Sequence, residues 1–252
     1  MPLGLELSAE LGAALAEDFA SLALLHDREL TPALLLALRQ AGFPGSLAML
    51  PRDDAARDGV EAMRLALAAL PSDPDTACMD GLAADFAAIY LTGAYGASPS
   101  ESYWLSDDHL VCQSPMFELR EEYKARGLVV PDWRLRPDDH LVFQLQFVAR
   151  LLNSAANADD WRSLGRFMDF HLLRWLADFA RRVAARCETP FYAALAMLSF
   201  AWSDQLRTLI AGNLGEAALT ADEVATQLNS QRVGDALAEP VRFFPGASGP
   251  SW

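Results

Sequence analysis

Two acids and an imidazole stand consecutively in Pro137-Asp138-Asp139-His140-Leu141, at the head of an apolar stripe formed by Leu141, Leu145, Val148 and Leu152. Carboxylates beside an imidazole are the groups that acid–base chemistry uses, and equally the groups that hold a basic ligand. The same residues also have a structural reading, because acids in the first turn of a helix cap its free N–H groups and offset the positive end of its dipole. On that reading Asp138 and Asp139 both serve the helix start, and the acids beside it hold His140 protonated. A second set, Pro99-Ser100-Glu101-Ser102-Tyr103-Trp104-Leu105, places an acid shortly before an indole. Glu101 with Trp104 makes the mixed acidic and apolar surface that reads an arginine next to an apolar run, whereas loop aromatics otherwise plug a loop onto its core. The candidate binding residues are therefore Glu101, Trp104, Pro137, Asp139 and His140.

Other chemistries lack their parts. Lys124 is the single lysine, and no GxxxxGK[ST] loop surrounds it, which removes ordinary P-loop phosphate chemistry. The sequence has no H-E-x-x-H, no G-x-S-x-G and no dinucleotide fingerprint after a strand. The four histidines, His26, His109, His140 and His171, are isolated from one another, and Cys78, Cys112 and Cys187 are odd in number without a C-x-x-C. Neither a zinc site nor a disulfide framework is expected, and no catalytic residue or cofactor is assigned. Thirty-four acids against 20 bases leave a net charge of −14, which disfavours nucleic acid and suits a basic partner. The N-terminal stretch carries acids where a secretory leader carries bases, and no uncharged apolar run reaches the roughly 18 residues of a membrane span. A cytoplasmic protein without stable membrane insertion is the expectation.

The elements that must position these residues read as helices almost throughout, with apolar residues recurring at three and four. Of the 252 residues 52% are hydrophobic and 21% charged, a balance that suits extensive buried helix faces. Ser8 caps a first helix to about His26, Thr31-Pro32 opens a second that Gly42 ends, Asp53 or Asp54 a third, and Thr76 a fourth to about Leu91. Periodicity then stops from Thr92 to Ser114, a loop long enough to be functional and expected to pack against the helices through Tyr95, Tyr103, Trp104 and Leu110. Ser114-Pro115 restarts a helix that Gly127 stops. Three long helices follow: Asp138 to about Ser154, Asp159 to about Cys187, and Thr189-Pro190 to about Ala211. In the second, Phe167, His171, Trp175 and Phe179 fall on one i+4 stripe and read as core. Thr220-Ala-Asp-Glu can cap a short amphipathic helix, and the tail from Phe243 reads as loose. The expected fold is an all-α helical bundle in two helical parts: residues 1–91, a connecting loop, short helix and hinge at 92–136, a second helical part at 137–212, and a tail at 213–252.

Taken in order, several of these patterns resemble the TorD/DmsD family of redox-enzyme maturation chaperones. The resemblance runs through Asp85-Phe86-Ala87-x-x-Tyr90, Pro99-x-Glu101-Ser102-x-Trp104-Leu105, Tyr123-x-x-x-Gly127-Leu128, and Pro137-x-Asp139-His140-Leu141 with Gln144-Leu145-Gln146-Phe147. It continues through His171-Leu172-Leu173-x-Trp175 and Pro190-Phe191-Tyr192-x-x-Leu195, so that it covers about residues 80–211, while residues 1–80 share only helicity. Trp104 stands where a tyrosine is more usual, which keeps an aromatic face and removes a hydroxyl. The resemblance implies a non-enzymatic chaperone for the precursor of a molybdenum-cofactor-containing oxidoreductase. It would bind the precursor's twin-arginine signal peptide, the apo-enzyme, or both, until the cofactor is inserted ahead of export. It also brings guanine nucleotide as a ligand, for which this sequence has no recognisable loop; the expected oligomeric state is monomer or domain-swapped dimer. Two other readings of the residues stand beside it: an all-helical small-molecule enzyme with Asp139 and His140 as acid and base, and an acidic adaptor for a folded basic partner.

Overall fold

Most helix starts carry a chemical reason. In the computed structural model, which describes residues 7–238 with side chains to Ser230, Ser8 accepts the Leu11 N–H at the head of α1 (Ala9–Asp27). Thr31 caps α2 (Pro32–Gln40) with proline at its first turn, Asp53 caps α3 (Asp54–Ala69), and Asp75 caps α4 (Thr76–Phe86). The last turn of that fourth helix widens into a π turn, Ala87–Leu91, a local irregularity that re-aims its side chains. After it come α5 (Glu101–Leu105), α6 (Ser114–Lys124), α7 (Leu141–Ser154), α8 (Ala158–Phe170), α9 (Leu176–Arg186) and α10 (Pro190–Leu214). Among the described residues there is no β-strand, and the all-helical expectation holds; a single isolated bridge joins Ser100 to His140.

The core is built on two long contacts. α1 lies along α7, and α10 runs between α3, α8 and α9. α10 buries residues all round its circumference, which is the pattern of a central helix, and its polar side chains are paired accordingly. Arg207 makes a two-pronged ion pair with Asp169 at 2.8 Å on each side, Gln205 holds the backbone at Leu50 and Arg52, and Ser199 meets His26 at 2.9 Å. His26 is fully buried between Ser199 and the Tyr90 hydroxyl, and burial pushes its imidazole down to about 3, so it stays neutral with one nitrogen donating and one accepting. Residues up to Ala218 form one compact unit and those from Leu219 a second. In the second, α11 (Ala221–Ala238) begins with Thr220 and Glu223 bonded reciprocally as a capping box. The tail from Phe243 lies outside the described residues.

Three expectations need correction. The long helix expected from Asp159 to Cys187 is broken at His171, whose backbone leaves the helical region (φ −128°, ψ −83°), and a short 3₁₀ turn at Leu172–Arg174 leads into α9. The stripe of Phe167, His171, Trp175 and Phe179 stays buried across the break, so burial periodicity alone could not reveal it. The Thr92–Ser114 loop holds a short helix and is tied down by Tyr95 to Asp85 at 2.7 Å and by Arg182 to the Gly96 carbonyl at 3.0 Å, yet Leu110 does not pack and is 53% exposed. Finally, the helix expected to start at Asp138 starts at Leu141.

The α1–α7 contact depends on a missing side chain. A Cβ on Gly12 would stand 2.6 Å from the Leu152 carbonyl oxygen, a backbone atom that cannot swing away. Gly12→Ala is therefore expected to lower stability by about 1–3 kcal/mol, although alanine is the better helix former. Urea unfolding measures this, and a midpoint at or above that of the parent chain would mean that the two helices separate at little cost.

Candidate functional site

The Pro99–Leu105 turn and the Pro137–Gln144 segment are clasped to each other. Their backbones exchange bonds as two residues of antiparallel sheet would, Glu101 N–H to the Asp139 carbonyl at 3.1 Å and Leu141 N–H to the Pro99 carbonyl at 2.7 Å. Side chains complete the clasp. Asp139 Oδ2 accepts the Ser102 N–H at 2.7 Å, and the Gln144 amide donates to Glu101 Oε2 at 2.9 Å and to the Asp139 carbonyl at 3.1 Å. His171 Nδ1 donates to Glu101 Oε1 at 3.2 Å, and Arg174 stands 4.0 Å from the same oxygen. The helix break at His171 is thus part of the site: it aims an imidazole at the acid of another segment. Sequence reading placed His171 in the core and left it off the site, and its i+4 stripe gave no signal of this contact.

Glu101 and Asp139 are both fully buried, and His140 is 5% exposed. Pro137 and Trp104 are half-buried, and Trp104 donates its indole N–H to the Ser98 carbonyl at 2.8 Å with the Arg182 guanidinium over its ring. All five candidate residues therefore lie on the two clasped segments. They divide in kind, with Glu101 and Asp139 beneath and Trp104 and Pro137 reaching the surface.

The two acids at the helix start do different work from the one their spacing predicts. Neither caps α7: His140 does, its Nδ1 accepting the Val142 N–H at 3.2 Å. Asp138 turns away to a two-pronged pair with Arg120, whose guanidinium lies between the Phe117 and Trp133 rings, and the Asp138 carbonyl accepts from the Tyr123 hydroxyl. With Asp138 occupied there and Asp139 facing Ser102, the acids do not hold His140 protonated. Burial first, then the nearby Arg136, pushes it down to about 3, so the ring is neutral with its proton on Nε2. Burial raises Asp139 to about 6, partly offset by its bonds from Ser102 and reinforced by Glu101. Asp139 Oδ1 and Gln144 Oε1 are buried acceptors without a hydrogen-bond partner, a costly arrangement.

Among the described residues no three His, Cys, Asp or Glu side chains are grouped to hold a metal ion, and no helix is long and apolar enough to cross a membrane. The all-helical scaffold clasps a surface turn to the start of a buried helix. The family model described as "Nitrate reductase delta subunit" matches residues 53–181. The relatives that match include the chaperone protein TorD of Vibrio vulnificus, 30% identical over 185 residues, which is 70% of this chain and 85% of that one. The chaperone protein TorD of Salmonella arizonae is 29% identical over 187 residues, 73% of this chain and 85% of its own, and that of Shewanella loihica is 33% identical over 134 residues, 51% and 62% respectively. The chain belongs to the TorD family, whose members are named chaperones and not enzymes. The match reaches back to residue 53, into a region where the sequence reading found only helicity.

Proposed function

We propose that the chain is a cytoplasmic chaperone for the precursor of a molybdenum-cofactor-containing oxidoreductase. It binds the twin-arginine leader of that precursor and holds the apo-enzyme back from export until the cofactor is in place. What supports this reading is family membership together with the clasp, which gathers the family-like Pro99–Leu105 and Pro137–His140 motifs into one element. Trp104 and Pro137 form the contact surface, while the buried Glu101, Asp139 and His140 set the shape of the two segments from below. A net charge of −14 draws an arginine-bearing leader, and the half-buried indole offers apolar area to the run that follows the arginine pair. The small-molecule enzyme reading falls with the family, and the fully buried Asp139 already spends one oxygen on the Ser102 N–H.

Calorimetric titration of a synthetic twin-arginine leader peptide tests this at low and high salt. Affinity is expected to fall as salt screens the arginine–carboxylate attraction and to level off at a residual apolar contribution. Trp104→Ala is expected to weaken binding about tenfold or more with the fold retained. Affinity that ignores both salt and Trp104 would sink the assignment.

A further inference from the structure

Away from the clasp, a cavity of about 240 Å³ opens between the segment after α6 and the outer face of α7. Its walls are apolar, made by Tyr123, Val130, Phe143 and Phe147, and its rim carries the Gln146 amide and the Arg150 guanidinium. Both rim residues are exposed, and Arg150 has no carboxylate partner among the described residues, whereas the nearby Arg126 is already paired with Glu122. The chain along the other side of the opening is unspent backbone. Among the described residues Val129 and Val130 have no backbone hydrogen-bond partner, Pro131 after them disfavours helix, and Val129 is 80% exposed while the Val130 side chain is buried against the pocket.

Each feature narrows the occupant. The free N–H and C=O groups of Val129, beside a side-chain pocket, can pair with the main chain of an extended peptide while one of its side chains enters the pocket. The apolar walls take one large apolar side chain. The free guanidinium at the rim, with a neutral amide beside it, selects a carboxylate and repels a lysine or arginine at that position. We infer that this groove binds an extended segment of a partner chain that carries a large apolar residue flanked by aspartate or glutamate. Its ligand is thus opposite in charge to a twin-arginine leader, and the inference does not rest on the proposed leader site.

The test is fluorescence anisotropy with a short labelled peptide in which glutamate alternates with valine around a central phenylalanine, set against the same peptide with lysine for glutamate. The glutamate peptide is expected to bind about tenfold or more tightly than the lysine one. Arg150→Glu is expected to remove that preference, while Arg150→Lys keeps most of it. Arg150 is exposed and has no ion-pair partner among the described residues, so both variants are expected to fold as the parent does, which thermal unfolding checks. The inference is overturned if the two peptides bind alike, if Arg150→Glu leaves the glutamate peptide's affinity unchanged, or if that peptide has no affinity below about 1 mM. Arg150 variants that still bind the leader normally while losing the glutamate peptide would separate this groove from the clasp.

Discussion

Glu101→Ala is expected to lower the unfolding free energy by about 3–5 kcal/mol, enough to leave a domain of ordinary stability largely unfolded under mild stress. The Glu101 carboxylate is fully buried and holds three groups from two other segments: the Gln144 amide, the His171 ring N–H and, at longer range, the Arg174 guanidinium. Removing it leaves the Gln144 amide only the Asp139 carbonyl and takes the carboxylate partner from the buried His171 ring, and a buried donor without its partner costs more than an ordinary hydrogen bond contributes. Glu101→Gln is a milder change, because its amide oxygen still accepts one of these donors; a loss of about 1–2 kcal/mol is expected. Urea unfolding of the three proteins measures the series. If alanine costs no more than glutamine, the carboxylate is not what ties the Pro99–Leu105 turn to α7 and to the His171 break, and the clasp has another origin.

What could be read from the chain, and what could not, follows from the range of the interactions. Ser8, Thr31-Pro32 and Asp53 cap the helices expected of them, because a cap bonds to N–H groups two or three residues away and its signal is local. The motifs that hold the candidate site were also visible as residue types, and the backbone bridge between Ser100 and His140 brings them together. Their roles were not visible. Asp138 and Asp139 look like a helix start, but each is claimed by a distant partner, Arg120 for one and Ser102 for the other, and the cap falls to His140. The charge state of His140 is hidden for the same reason: adjacency in sequence to two acids says nothing of where those acids point, and burial, then Arg136, decides it instead. The break at His171 was hidden because a buried stripe at i+4 looks the same whether the helix is continuous or interrupted by a 3₁₀ turn.

Asp139→Asn is expected to become more stable relative to the parent as pH rises, by up to about 3 kcal/mol between pH 4 and pH 7. In the folded chain burial raises the Asp139 carboxyl from 3.8 to about 6. Between those values the folded state keeps a proton that the unfolded state has lost, so the carboxyl's contribution to stability is lost as pH climbs through about 6. Asparagine does not titrate. Its amide oxygen can still accept the Ser102 N–H, and its NH₂ stands where Asp139 Oδ1 now has no partner. Asp18, which burial also raises to about 6, and the neutral His26 and His140, which burial lowers to about 3, make the pH profile of either protein complex, but they are common to both and drop out of the difference to first order. Asp138 offers no substitute for Asp139, being bound to Arg120, so the hydrogen-bonding geometry of asparagine alone must hold the turn. Unfolding free energies of the two proteins across this range measure the effect, and parallel profiles would mean that the buried carboxyl carries no such ionisation cost. Titrating the leader peptide into the same variant separates charge from shape. Intact binding by a stable Asp139→Asn makes Asp139 a positioning residue for Trp104 and Pro137, and lost binding at undiminished stability means that its negative charge itself is used.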